Sequence, residues 1–222
     1  MLRLHLIRHA ESENNAKPEN ERVEDPGITP LGEQQAIQLG RWLESMPIDC
    51  LITSPFRRAL QTTSFVAQTS KAAIEIDPET YEEGGCYRGH GTNVSGAPGY
   101  NRAEILKWIP NAQVHESIQE NGWWNGRIPE TREQAIQRAD RIVQNLTERF
   151  IGQDVTVVMI IHADIIRHMM TTMLADCVNT KRLGPLCNTG ITRLDLVNDS
   201  WNLQWLNSIG HLSPGIVTDS NG

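Results

Sequence analysis

Residues 4–15 read LHLIRHAESENN, a short apolar run that stops at a basic pair and gives way to small polar residues. Apolar side chains recurring over four to eight positions mark a strand, so residues 2–7 are expected to form one. Arg8 and His9 then stand at its carboxyl end, with Glu11, Ser12, Asn14 and Asn15 just beyond. Ligands of open α/β sheets bind outside the carboxyl ends of the strands. The stretch therefore reads as a strand running into the edge of a site.

The same pattern recurs late in the chain. Residues 155–161 are continuously apolar and rich in β-branched side chains, as expected of a strand covered on both faces. That strand ends at His162, and a helix is expected to follow through about residue 174, with Asp164 as its N-cap. Between the two, Thr29 and Pro30 open a helix carrying Gly32, Ala36, Leu39 and Leu43 on one face. Residues 50–53 make a short strand, Ser54-Pro55 opens a helix through about residue 68, and residues 73–76 form another strand. Residues 131–150 carry Ala135, Ala139, Ile142, Leu146 and Phe150 at helical spacing, and two last strands fall at 191–196 and 201–206. Strands alternating with helices predict an α/β fold: a three-layer sandwich with a mostly parallel central sheet and helices on both faces.

From 84 to 129 the texture changes to glycine, asparagine and proline, with tryptophans at 108, 123 and 124. This is expected to be a loop-rich insertion with one short helix at 102–108. Long segments of this kind are often functional. The insertion, with Arg88 and Arg102, either walls a substrate pocket or packs its tryptophans as a small satellite core. The tail after His211 is expected to be loosely held.

At 222 residues the chain suits one domain, 1–222, carrying that insertion. It has 20 Lys and Arg against 27 Asp and Glu, a formal charge of −7. That balance argues against nucleic acid, which needs a basic face, but leaves room for a local basic pocket. No stretch approaches the ~20 apolar residues of a membrane span, and the start lacks the pattern of a signal peptide. Cys50, Cys86, Cys177 and Cys187 form no Cys-x-x-Cys pair, so reduced thiols in a cytoplasmic protein are expected. Cys86, in a polar glycine-rich stretch, is expected to be the more exposed.

The carboxyl edge of such a sheet gathers His9, His162, Arg8 and, from SPFRR at 54–58, Arg57 and Arg58. The arginine fork suits phosphate geometry and helix N-termini add backbone donors. A histidine beside that cradle can be a nucleophile or a proton carrier. Alone, a strand-end histidine is usually just hydrogen-bonded; the coincidence at one edge is the signal.

Four blocks then resemble the histidine phosphatase superfamily, the phosphoglycerate mutase-like proteins. They are RHAES at 8–12 with Asn15, DPGITPLG at 25–32, SPFRRALQT at 54–62 and MIIHADIIR at 159–167, in the family's order. Two glycines of the family pattern are alanine here, Ala10 and Ala163, a tolerable change unless the backbone there needs positive φ. The resemblance implies a phosphomonoester hydrolase acting on a small phosphorylated metabolite, with no cofactor and no metal. His9 would take the phosphoryl group, with Arg8, Arg58 and His162 binding its oxygens. Asn15, Ser12, Ala163 and Thr189 would lie around the substrate, Ser12 being equally suited to a turn or helix cap. Asn188 and Thr189, from LGPLCNTGIT at 183–192, would offer a backbone donor. Arg57 is expected at the surface.

A carboxylate after the third strand would be the general acid. In ETYEEGGCYRG, Glu82 resembles the Glu-x-Gly-Gly form of that acid, with Glu83 read as a solvated loop charge and Glu79 as a more distant choice. A cofactor-dependent phosphoglycerate mutase is the alternative, but its Glu-Arg-His-Tyr-Gly block is replaced here by EEGGCYRG, which favours hydrolysis. A catalytically inactive phosphate-ester-binding protein would not need all the reacting residues. A metal site through His162, Asp164 and His168 is disfavoured, because histidines six apart do not share a helix face. Exposed tryptophans would favour a homodimer.

Overall fold

The computed structural model describes residues 1–91, 93–177 and 179–219. Seven strands form one sheet: β1 (Leu2–Arg8), β2 (Cys50–Thr53), β3 (Ala73–Ile76), β6 (Gln113–Val114), β7 (Val155–Ile161), β8 (Ile191–Val197) and β9 (Ser200–Ser208). Their order is β6-β3-β2-β7-β1-β8-β9. The five strands from β6 to β1 run parallel, and β8 and β9 add an antiparallel edge.

Helices cover both faces. On one, α5 (Arg132–Phe150) and α6 (Ala163–Leu174) bury Ile142, Leu146, Ile165 and Met169 with Leu2, Leu4 and Leu6 of β1. On the other, α2 (Pro30–Leu43), α3 (Arg57–Val66) and α4 (Arg102–Trp108) pack Leu39, Leu43, Leu60 and Ile105 with Ile7, Leu51 and Val158. Strand β7, read as covered on both faces, has six of its seven residues buried. Caps set the helix starts: Thr29 accepts from the Gly32 amide, and Thr131 and Gln134 form a capping box.

Several boundaries differ from the sequence reading, each for a physical reason. Helix α3 begins at Arg57, because the Ser54 amide still bonds the Ile160 carbonyl at 3.3 Å and so continues the sheet. Helix α6 is capped at His162, not Asp164, since the chain turns into the helix directly at the strand end; Asp164 lies in its first turn. Residues 84–129 hold the one expected helix, α4, but are not otherwise loop. They add a two-stranded hairpin, β4 (Tyr87–His90) with β5 (Asn93–Gly96), and the short β6 on the outer edge of β3. Trp123 and Trp124 are 5% and 2% exposed and pack with Tyr81 and Phe56. They belong to the core, so the exposure that would favour a dimer is absent from that pair.

Cys86 is buried rather than exposed, its thiol against the Glu24 carbonyl, and burial pushes its pKa up to about 12. The tail is also held: Gln35 donates to the Ile216 carbonyl and to Thr218, and the Asn188 amide donates to the Thr218 carbonyl. The folding-back of 211–218 depends on those long-range partners, which no local pattern announces. Among the described residues, no helix is long and apolar enough to cross a membrane.

Candidate active site

Strand register builds the site. Arg8 of β1 lies opposite Ile161 of β7, so the next residues, His9 and His162, are neighbours at the carboxyl edge. The His9 amide donates to the Ile161 carbonyl at 2.9 Å, and the two rings meet edge-on with centroids 5.1 Å apart. One strand over, Thr53 pairs with Ile160, which sets Ser54 beside His162; its hydroxyl lies 2.8 Å from His162 Nε2.

The tautomer of His9 follows from its partners. Nδ1 lies 2.7 Å from the Ala10 carbonyl, which can only accept, so Nδ1 carries the proton. Nε2 is left with its lone pair and accepts from Arg58 Nε at 3.1 Å. Burial, with Arg58 and Arg8 alongside, holds the His9 pKa well below the usual imidazole value. The ring is neutral near pH 7, and the nitrogen facing Arg58 is its nucleophilic one.

Arg8 donates to the Leu186 carbonyl, and its own carbonyl accepts from the Thr189 amide at 3.0 Å. Both arginines, His9, Ser12 and Asn15 line a cleft of about 960 Å³, together with Glu82 and Ala163. Ser12 is also the N-cap of α1 (Glu13–Ala16), so both of its expected roles fall on one residue; its amide and hydroxyl donate to Asn15 Oδ1. Ala10 and Ala163 are both outside the positive-φ residues. The two glycine-to-alanine departures therefore strain nothing.

Glu82 sits on the amino end of α6. Its carboxylate accepts from the Asp164 amide at 3.2 and 3.3 Å and from the Ile165 amide at 3.2 Å. Those donors favour the anion, yet burial, with Asp164 beside it, pushes the Glu82 pKa above the ordinary carboxylate range. Glu83 is not a solvated charge. It lies 2.6 Å from the buried His168 Nε2 and 3.7 Å from Arg132.

Two expected ligand contacts are arranged differently. His162 is fully buried behind His9 and Phe56 rather than on the cleft wall, although its Nδ1 has no partner among the described residues. Thr189 is buried, with φ of 55°, its amide spent on Arg8 and its hydroxyl on His211. It is absent from the cleft lining. Its neighbour Asn188 acts through its side chain, donating to the His9 carbonyl at 3.0 Å and to Asn15 Oδ1 at 3.2 Å. Arg57 is half-buried against Gly27, its amide donating to Asp25.

Three residues near the site escaped the sequence reading in this role. Ser54 was visible in SPFRR but was read as a helix start. Asp25 stood in DPGITPLG; it is bonded to the amino end of α3, and burial raises its pKa to about 7. Gly32 was placed on a helix face, yet its reason is steric: a Cβ there would collide with the Glu11 carbonyl oxygen, next to Ser12. Gly32→Ala should cost about 1–3 kcal/mol, the range for overpacking. A thermal or urea melt checks this, and an unchanged midpoint would show that the Glu11 loop yields freely.

Among the described residues, no group of three or more His, Cys, Asp or Glu side chains is placed to hold a metal ion.

The model of the histidine phosphatase superfamily, branch 1, matches residues 4–209. A broad-specificity phosphatase of Saccharomyces cerevisiae is 38% identical over 86 residues, 38% of this chain and 36% of that protein. A "probable phosphoglycerate mutase" of Citrobacter koseri is 24% identical over 226 residues, 100% of this chain and 93% of its own. Among solved structures, Bacillus stearothermophilus YhfR superposes with a TM-score of 0.66 at 21% identity, covering 95% of this chain and 99% of that one. The Entamoeba histolytica phosphoserine phosphatase, in complex with 3-phosphoglyceric acid, gives 0.65 at 21%, covering 96% and 100%. With a family model running from β1 into β9, the chain belongs to the histidine phosphatase superfamily.

Proposed function

We propose that this chain hydrolyses phosphomonoesters of small metabolites through a phosphohistidine on His9. The observation that carries the reading is the oriented ring: Nδ1–H anchored on the Ala10 carbonyl, Nε2 turned to Arg58. Nε2 attacks phosphorus while the ester P–O bond breaks. Negative charge on the equatorial oxygens meets the guanidinium groups of Arg8 and Arg58, a step that needs positioning and charge more than covalent help. Protonated Glu82 gives its proton to the departing alkoxide. A water then attacks phosphorus, the P–N bond breaks with its electron pair returning to Nε2, and the water's protons leave on the phosphate; His9 is neutral again and Glu82 recovers its proton from solvent. The anchoring carbonyl of Ala10 offsets the positive charge the ring carries while phosphorylated. His162, whose Nδ1 has no partner among the described residues, supports the His9 ring from behind, edge-on at 5.1 Å.

The relative named as a probable mutase favours a second reading, transfer of the phosphoryl group back to an acceptor hydroxyl. Following 3-phosphoglycerate by phosphorus NMR separates the two: inorganic phosphate marks hydrolysis, and an isomeric phosphoglycerate marks the mutase.

Arg8 and Arg58 already bring the positive charge that a metal would supply, so turnover should be unchanged in EDTA. Vanadate should inhibit well below substrate concentrations, since its five-coordinate form resembles the phosphoryl group in transfer. Loss of activity in EDTA, restored by a divalent ion, would contradict the scheme. Four free cysteines suit a reducing compartment, and we place the protein in the cytoplasm.

A further inference from the structure

We propose that Arg138, buried behind the 79–84 loop, is a positioning residue that fixes Glu82 for proton delivery. The proposal rests on the reading of Glu82 as general acid. Arg138 belongs to α5, is fully buried and does not line the cleft. Its guanidinium grips Glu130 with both forks, Nε to Oε1 at 2.9 Å and Nη2 to Oε2 at 2.7 Å. Nη1 donates to two carbonyls of the acid's own loop, Glu79 at 2.7 Å and Tyr81 at 3.0 Å. The Tyr81 ring lies 3.5 Å from the guanidinium carbon, and its hydroxyl donates to Glu130 Oε1 at 3.0 Å. On the far side, the Glu130 amide donates to the Gly84 carbonyl at 3.1 Å.

Glu82 is thus bracketed. The residue before it is held by its carbonyl, ring and hydroxyl, and the residue two after it by its carbonyl. Every one of those contacts leads to the Arg138–Glu130 pair. A loop rich in glycine, with Gly84 and Gly85 both at positive φ, has little stiffness of its own. Burying an ion pair is rarely a net source of stability, because desolvation offsets the attraction, and apolar replacements are often neutral. What the pair supplies here is geometry. A planar five-donor fork can hold a carboxylate and two carbonyls at once, which an ammonium cannot.

The test compares an alkyl phosphate with p-nitrophenyl phosphate in three proteins. These are Glu82→Gln as reference, Arg138→Lys, and the double variant Arg138→Met with Glu130→Gln, which removes both charges of the buried pair. The alkyl ester has a basic leaving group that needs the acid; the aryl ester does not. In the Arg138 variants, kcat for the alkyl ester should fall about 10²-fold while KM and aryl turnover stay within about threefold, the usual loss from ångström-scale misplacement. A thermal melt reports folding, and Arg138→Lys decides the matter should the double variant fail to fold. A parallel fall on both esters, or no fall on either, overturns the proposal in favour of a purely structural pair. Should Glu82→Gln itself treat both esters alike, the acid is elsewhere, and the positioning role falls with that assignment.

Discussion

Replacing His9 by alanine should remove turnover by about four orders of magnitude or more, as loss of a nucleophile does elsewhere, and should do so equally for alkyl and aryl esters. No proton donor compensates for a missing P–N bond, so the leaving group cannot rescue the reaction. The fold should survive. What ties His9 to the sheet is its backbone amide on Ile161 and its carbonyl, which accepts from Asn188; both remain in the variant. Near-normal melting with no detectable phosphate release on either ester is the expected pair of results. Residual turnover near the wild-type rate would mean that another group attacks phosphorus.

Glu82→Gln should behave differently. It keeps the side chain's size and its hydrogen bonds but removes the transferable proton. Alkyl phosphates should lose roughly two to four orders of magnitude, the worth of a positioned acid, while activated aryl phosphates lose far less. The pH profile carries the same signature. The pKa of Glu82 is raised by burial and by Asp164, and the acid must be protonated to act. Turnover of alkyl esters should therefore fall as pH rises through that raised value, and this limb should be missing from aryl esters and from the variant. His9, with its pKa depressed by burial and the two arginines, stays neutral down to well below pH 6.5 and sets the acid side. Glu83→Gln should weaken the contacts to His168 and Arg132 and lower the melting midpoint, leaving the alkyl-to-aryl ratio unchanged. A reversal between the two variants would make Glu83 the acid.

The parts of this site legible in the sequence are those that strand ends deliver. LHLIRH and VVMIIH each announce a buried strand stopping at histidine, and parallel pairing in register then forces the two rings together. The arginine of SPFRR follows from the same edge. Contacts made across long sequence separations left no local trace. The tail reaches Asn188 through Thr218, and Arg138 reaches Glu79 and Tyr81 across nearly sixty residues. The hairpin of β4 and β5 was hidden because YRGH and NVSG carry only one large apolar residue each, Tyr87 and Val94, too few to mark a strand. Thr189 misled for a related reason: its amide bonds the Arg8 carbonyl and its hydroxyl pairs with His211, so both are engaged within the protein. Proximity in a motif did not specify which way a donor points.

The central claim is the covalent intermediate, and rapid-quench trapping tests it most directly. The enzyme is mixed with phosphate-labelled ester, quenched within milliseconds into alkali, where a phosphoramidate on histidine persists, and digested for peptide mapping. The account predicts label on the peptide containing residues 4–15, on His9, formed in a burst and lost as phosphate appears. Label on a serine, cysteine or carboxylate, or full turnover with no label on His9, would contradict it.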